Sequence, residues 1–168
     1  RADYFVIATI GIDADNNKYV IDIFRERLDP AKQPQKIIDI YERFNPKRMK
    51  IETVAYQEAL RSATRALMLE KNLYIPGLEK GVKPRNRKSE RLLSLVPAFA
   101  KGEFFFRPQD LTAQQEFLSY PRGKNDDIMD AVWTALEGSR PCRVKKDDFD
   151  PEQELEVKSN KILDWLTM

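Results

Sequence analysis

Apolar residues set the rhythm of this chain. Tyr4 to Ile12, YFVIATIGI, is nearly continuous in apolar and β-branched residues, with the length and composition of a buried strand. Asp13 to Asn17, DADNN, is turn chemistry. KYVIDIFRERL resumes at Lys18, with Val20, Asp22 and Phe24 alternating against Ile21 and Ile23. Two such runs joined by Asp and Asn predict an antiparallel hairpin. The period then lengthens. Ile37, Ile38, Ile40, Tyr41 and Phe44 recur at helical spacing, and Pro46 ends that helix.

Further on the elements alternate. Met49 to Val54 reads as a short strand and Gln57 to Glu70 as a helix with Leu60, Ala63, Leu67 and Met68 on one side. LYIPGL, from Leu73, reads as another short strand. SERLLSLVPAFAKGE predicts one helix with Ser89 as N-cap and Gly102 at its end. FFFRP is a strand or extended piece. DLTAQQEFLSYP is a helix starting near Asp110 or Thr112, and an aspartate-rich helix closes the fold near Gly138. This order predicts an α/β fold with a mixed sheet over residues 1–138. Residues 139–168 change to mixed charge blocks and read as a C-terminal tail.

Composition narrows the chemistry. The chain has 168 residues, 42% of them hydrophobic, which is enough for one domain with a real core. Its net charge of +2 singles out no partner, so the distribution of charge matters more than the sum. There is no histidine, which removes Ser-His-Asp and Cys-His catalysis and every histidine metal site. The single cysteine, Cys142, excludes a disulfide framework and a cysteine zinc cluster. Neither G-x-G-x-x-G nor G-x-x-x-x-G-K-[ST] occurs, so no phosphate loop for ATP is expected. No apolar run is long enough to span a membrane, and a cytoplasmic protein is expected.

Two clusters stand out against that background. Lys124 to Leu136, KNDDIMDAVWTAL, carries Asp126, Asp127 and Asp130 at the start of an otherwise apolar helix. Aspartate at a helix N-terminus caps free N–H groups and complements the macrodipole, which accounts for Asp126 or Asp127. It accounts less well for Asp130 one turn on. The alternative is a hard divalent cation such as Mg²⁺ or Mn²⁺, which selects carboxylate oxygens. Glu52, at the end of a predicted strand, stands where ligand sites of α/β sheets collect. The second cluster is basic: Lys83, Arg85, Arg87, Lys88 and Arg91 accompany the one acid Glu90 between Gly81 and Arg91. That is the footprint of phosphate binding, although such runs are also ordinary solvated loops.

Taken together, these pieces resemble a known family. DYFVIATIGIDADNNKYVIDIFRERLDPAKQPQKII, then KIETVAYQ, then NRKSERLLSLVPAFAKGEFFF, then KNDDIMDAVWTAL resembles the C-terminal nuclease domain of the large terminase subunit of tailed bacteriophages, over about residues 2–138. The more specific feature is the succession of a strand-end acid, a K-x-x-R helix start and a D-D-x-x-D helix. The resemblance implies an RNase H-like fold, a mixed sheet flanked by helices with its first three strands antiparallel. It implies a two-metal (Mg²⁺ or Mn²⁺) endonuclease that cuts concatemeric viral DNA during genome packaging in the host cytoplasm. Glu52 matches the family's second acid and Asp126 the third, with Asp127 as auxiliary ligand and Asp130 in support. Lys88 and Arg91 match the basic helix start, assigned to DNA or to ordering the acids. The implied partners are double-stranded DNA, the packaging ATPase domain of the same parent chain, and the portal and small terminase subunit.

The family's first catalytic aspartate lies in a strand before the hairpin. The chain begins at Arg1, where the second strand is expected, so that strand and its aspartate are expected outside the given sequence. Asp3, Asp13 and Asp29 are poor substitutes by position. Two rivals remain: another RNase H-like nuclease, such as a resolvase or transposase core, and a DNA-binding or assembly module without catalysis.

Overall fold

The expected hairpin forms, with β1 at Phe5–Ile12 and β2 at Lys18–Glu26 paired antiparallel from Phe5↔Glu26 to Ile12↔Lys18. Asp13 holds the turn: its carboxylate accepts from Asn17 N (2.8 Å), Asn17 Nδ2 (2.9 Å) and Tyr19 Oη (3.0 Å). The register shifts at Thr9/Ile10, which leaves Ile21 as the extra residue of a bulge. A computed structural model provides the structure and describes residues 4–52, 55–79, 81–83 and 87–142, with the backbone alone for 55–57. Arg85 and the tail from residue 143 lie outside the described residues, as do positions 53–54 of the expected third strand.

A 3₁₀ turn at Pro30–Lys32 leads into α1, Gln33–Phe44. Asp29 caps that turn by accepting from Ala31 N, which gives it a local structural role. Asn45, in the left-handed region at φ 43°, closes α1 ahead of Pro46. Helix α2 spans Ala55–Glu70. The helix expected from Ser89 onward is instead two, α3 at Lys88–Leu93 and α4 at Val96–Ala100, and Arg87 is the N-cap. Pro97 explains the break: it has no N–H to give Leu93 C=O, and its ring would press on that carbonyl. Gly102 ends α4 as expected, at φ +68°. Its N–H bonds to Phe99 C=O while Glu103 N–H reaches back to Ala98 C=O. Strand β3, Phe104–Phe105, follows and pairs parallel with Lys18–Tyr19 of β2. Helices α5, Leu111–Ser119, and α6, Asp127–Leu136, complete the described fold.

The sheet is small and mixed, in the order β1-β2-β3, with β1 at one end. Helices cover both faces. Val6, Ala8 and Ile10 of β1 pack with Leu92 of α3, Leu95 just before α4, and Ile128, Met129, Val132 and Trp133 of α6. Phe5 and Ile7 turn the other way, toward Ile37, Ile38 and Leu60 of α1 and α2. Both faces of β1 are therefore apolar, which is why its sequence does not alternate. Each fully buried aliphatic side chain of these two cores contributes about 1.5–3 kcal/mol.

Three expectations are corrected here. Residues 73–78 form no strand, because Pro76 and Gly77 (φ +94°) turn the chain. Around Met49 only a single parallel bridge, Glu52↔Val82, is made, with Val82 N–H on Ile51 C=O and Met49 N–H on Pro76 C=O, both 2.8 Å. The strand β1 is also not buried as its composition suggests. Every one of its residues is only half-buried.

Candidate metal and nucleic-acid site

The reason β1 stays half-buried is a groove of about 1770 Å³ along the edge that no described strand covers. The opposite bank is the extended segment from Lys47 to Glu52, and Ile37, Ile40 and Leu60 line one side while Ala131, Thr134 and Ala135 line the other. Met49 N–H bonds to Pro76 C=O, and Ile51 C=O accepts from Val82 N–H. The two banks run in opposite directions. β1 starts near the aspartates, where Val6 pairs with Arg25, and ends at Asp13, whose C=O accepts from Cys142 N. The other bank starts at Lys47, 3.8 Å from Cys142 Sγ, and ends at Glu52.

Glu52, Asp127 and Asp130 line the groove; Arg91 links Glu52 to Asp130, and Lys88 links Asp130 to Asp126. These acids arrive from chain segments more than seventy residues apart. Each is matched with a cation. Arg91 donates to Glu52 Oε1 (2.8 Å) and lies 3.9 Å from Asp130 Oδ1. Lys88 Nζ stands between Asp126 Oδ1 (2.7 Å) and Asp130 Oδ2 (2.6 Å). Arg25 of β2 approaches Asp127 Oδ2 at 3.8 Å. Arg91 is buried and its guanidinium lies 4.8 Å over the Trp133 ring, so its place is fixed by packing as well as charge. Burial opposes the charge on Lys88, but its hydrogen bonds to Asp126 and Asp130 outweigh that and raise its pKa.

The donors fit Mg²⁺ or Mn²⁺ in kind, being carboxylate oxygens alone, and Asp130 Oδ1 is buried without a hydrogen bond. Yet no three acidic side chains among the described residues converge closely enough to hold one ion. The chain's own cations occupy that role here. Of the basic cluster, Lys83 and Arg87 are exposed, Lys88 faces the acids and Arg91 points inward to Glu52. The basic run is thus two things: an outer part free to meet a phosphate backbone, and an inner pair that orders carboxylates.

Comparison with protein-family models, curated proteins and solved structures returns no match. No helix among the described residues is long and apolar enough to cross a membrane.

Three residues at the site carry no signal in the acid and base motifs. Arg25 looks like one of several charges in RERL. Lys50 donates to Ala135 C=O (2.8 Å), Glu137 C=O and Ser139 Oγ (2.9 Å), capping the end of α6 from the segment that carries Glu52. Burial and the nearby Arg48 lower its pKa, against Glu137. Glu116 of α5 is buried, and its Oε1 accepts from Ile128 N (2.7 Å) and Met129 N (3.0 Å). Its trace in the sequence is an acid in step with Ala113 and Phe117 on the inward face of a helix.

Proposed function

We propose that this chain is the RNase H-like nuclease domain of a phage terminase large subunit, cutting double-stranded viral DNA with Mg²⁺ or Mn²⁺. The observation that carries this reading is the linkage of Glu52, Asp130 and Asp126 through Arg91 and Lys88, with Asp127 lining the same groove beside β1. A divalent ion there would supply a water nucleophile at neutral pH and stabilise charge on the phosphate. Glu52, Asp126 and Asp127 are the residues that would hold it, with Asp130 in support. Lys88 and Arg91 hold these acids in register, and the exposed Lys83 and Arg87 meet the DNA backbone. Such contacts carry little base information, so cleavage is weakly sequence-specific.

The groove supports the same reading, because it runs beside β1 and carries Glu52, Asp127 and Asp130 in its lining.

The test is cleavage of supercoiled plasmid in Mn²⁺ or Mg²⁺ by the chain, by a form extended upstream of Arg1, and by Glu52→Ala and Asp126→Ala in each. Metal-dependent nicking by the extended form, lost in both variants, is the expected result. Silence of both forms, with DNA binding that ignores metal, overturns it. The mutual neutralisation of acids and cations favours that second reading, a DNA-binding module without catalysis.

A further inference from the structure

Asp126 occupies the N-cap position of α6, yet its side chain makes no capping hydrogen bond. The N–H groups that an N-cap aspartate ordinarily takes are those of the second and third helical residues. Here these are Ile128 and Met129, and both donate to a single oxygen of Glu116 on α5. The helix is capped from outside, and Asp126 is left to face Lys88 at 2.7 Å. We infer that Glu116 is a positioning residue: by capping α6 in place of Asp126, it keeps the Asp126 carboxylate in the acidic site.

The logic is competitive. Two carboxylates can reach the same pair of N–H groups, one on the helix itself and one on its neighbour. While Glu116 holds them, the Asp126 side chain gains nothing by folding back. Burial makes Glu116 suited to this, since at 6% exposure it has few alternatives to the two amides, and Ala113 and Phe117 on the same face pack α5 against the α6 core. Burial also raises the Glu116 pKa, against the two N–H bonds, and the neighbouring Asp127 adds to the rise. With Glu116 removed, the vacated N–H groups attract Asp126. It turns from Lys88 to cap its own helix, and the site loses one of its oxygen ligands without any change in the acids themselves.

The inference rests on the metal reading for its function but not for its geometry, so the experiment keeps the two apart. The ¹³C resonance of the Asp126 carboxyl and the ¹⁵N resonance of the Lys88 ammonium are followed in the unmodified chain, Glu116→Ala and Glu116→Gln, without metal. Both resonances are expected to shift in Glu116→Ala and to return in Glu116→Gln, which keeps the accepting oxygen. Mn²⁺ binding, read by the loss of free-ion EPR signal, is expected to weaken about tenfold in Glu116→Ala. Adding Asp126→Asn to Glu116→Ala then weakens it no further, because the ligand has already left. Should Glu116→Ala not fold, Glu116→Asp keeps the charge but falls one methylene short and carries the same comparison. Unchanged Asp126 and Lys88 resonances in the variant, or equal shifts in Glu116→Ala and Glu116→Gln, overturn the inference. Absent Mn²⁺ binding in every chain, with the resonances behaving as expected, overturns the metal reading alone.

Discussion

Lys88 holds the place that the proposed divalent ion would need. Its ammonium lies between Asp126 Oδ1 and Asp130 Oδ2 at 2.7 and 2.6 Å, so an ion using those oxygens must displace it. The strength of that competition follows from exposure. The Lys88, Asp126 and Asp130 side chains are 43%, 39% and 22% exposed, so each contact belongs to the weak, solvent-screened class. Two such contacts contribute about 0.4–2 kcal/mol together. At 1.4 kcal/mol per decade, Lys88→Met should tighten Mn²⁺ binding by roughly 2- to 30-fold. The same variant leaves Asp126 and Asp130 as like charges one turn apart, an added cost of about 0.2–0.5 kcal/mol, so without metal it should be slightly less stable. Mn²⁺ titration by EPR at fixed ionic strength reads the first effect and urea unfolding the second. A folded Lys88→Met that binds Mn²⁺ no better than the unmodified chain would refute a cation site shared by Asp126 and Asp130.

Gly77→Ala tests how Glu52 is placed. Gly77 stands at φ +94°, and a Cβ there would lie 2.4 Å from Met49 O and from Arg48 Cγ, so about 2–3 kcal/mol or more should be lost in urea unfolding. Acid should weaken the hairpin through Asp13. Burial opposes its charge, but the hydrogen bonds from Asn17 and Tyr19 prevail and lower its pKa below 3.8, so its contribution is present above that value and lost as pH falls through the folded pKa. Asp13→Asn should therefore flatten the decline of stability below about pH 4. An unchanged slope in acid unfolding would show that Asp13 is not the group responsible.

What the sequence made legible was what is locally determined. The hairpin, α1 with its stop at Pro46, the Gly102 turn and the acidic start of α6 all rest on residues within a few positions of one another. The partners of those residues are set by the fold. Nothing in KNDD indicates that Asp126 caps nothing, because the competing acceptor, Glu116, sits ten residues away on another helix. LYIPGL has the composition of a strand, but Pro76 and Gly77 prevail over it. YFVIATIGI reads as fully buried because both of its faces are apolar. Its half-exposure comes from the groove at its edge, and edges leave no mark in a residue pattern. The pairing of Arg91 with Glu52, across thirty-nine residues, is likewise a product of packing.

Lys50 gives the acidic helix a second fastening. Its ammonium grips the last turn of α6, two residues before the same extended segment delivers Glu52. Glu116 grips the first turn. A rod secured at one end only can still slide along its length or roll about its axis. Held at both ends by different elements, α6 can do neither without surrendering a charged hydrogen bond. The spacing of Glu52 from the three aspartates is therefore gauged by contacts at the far end of the helix as much as by those beside the acids. A change at Lys50, about 15 Å of helix away from Asp126, should register there as a shift in alignment.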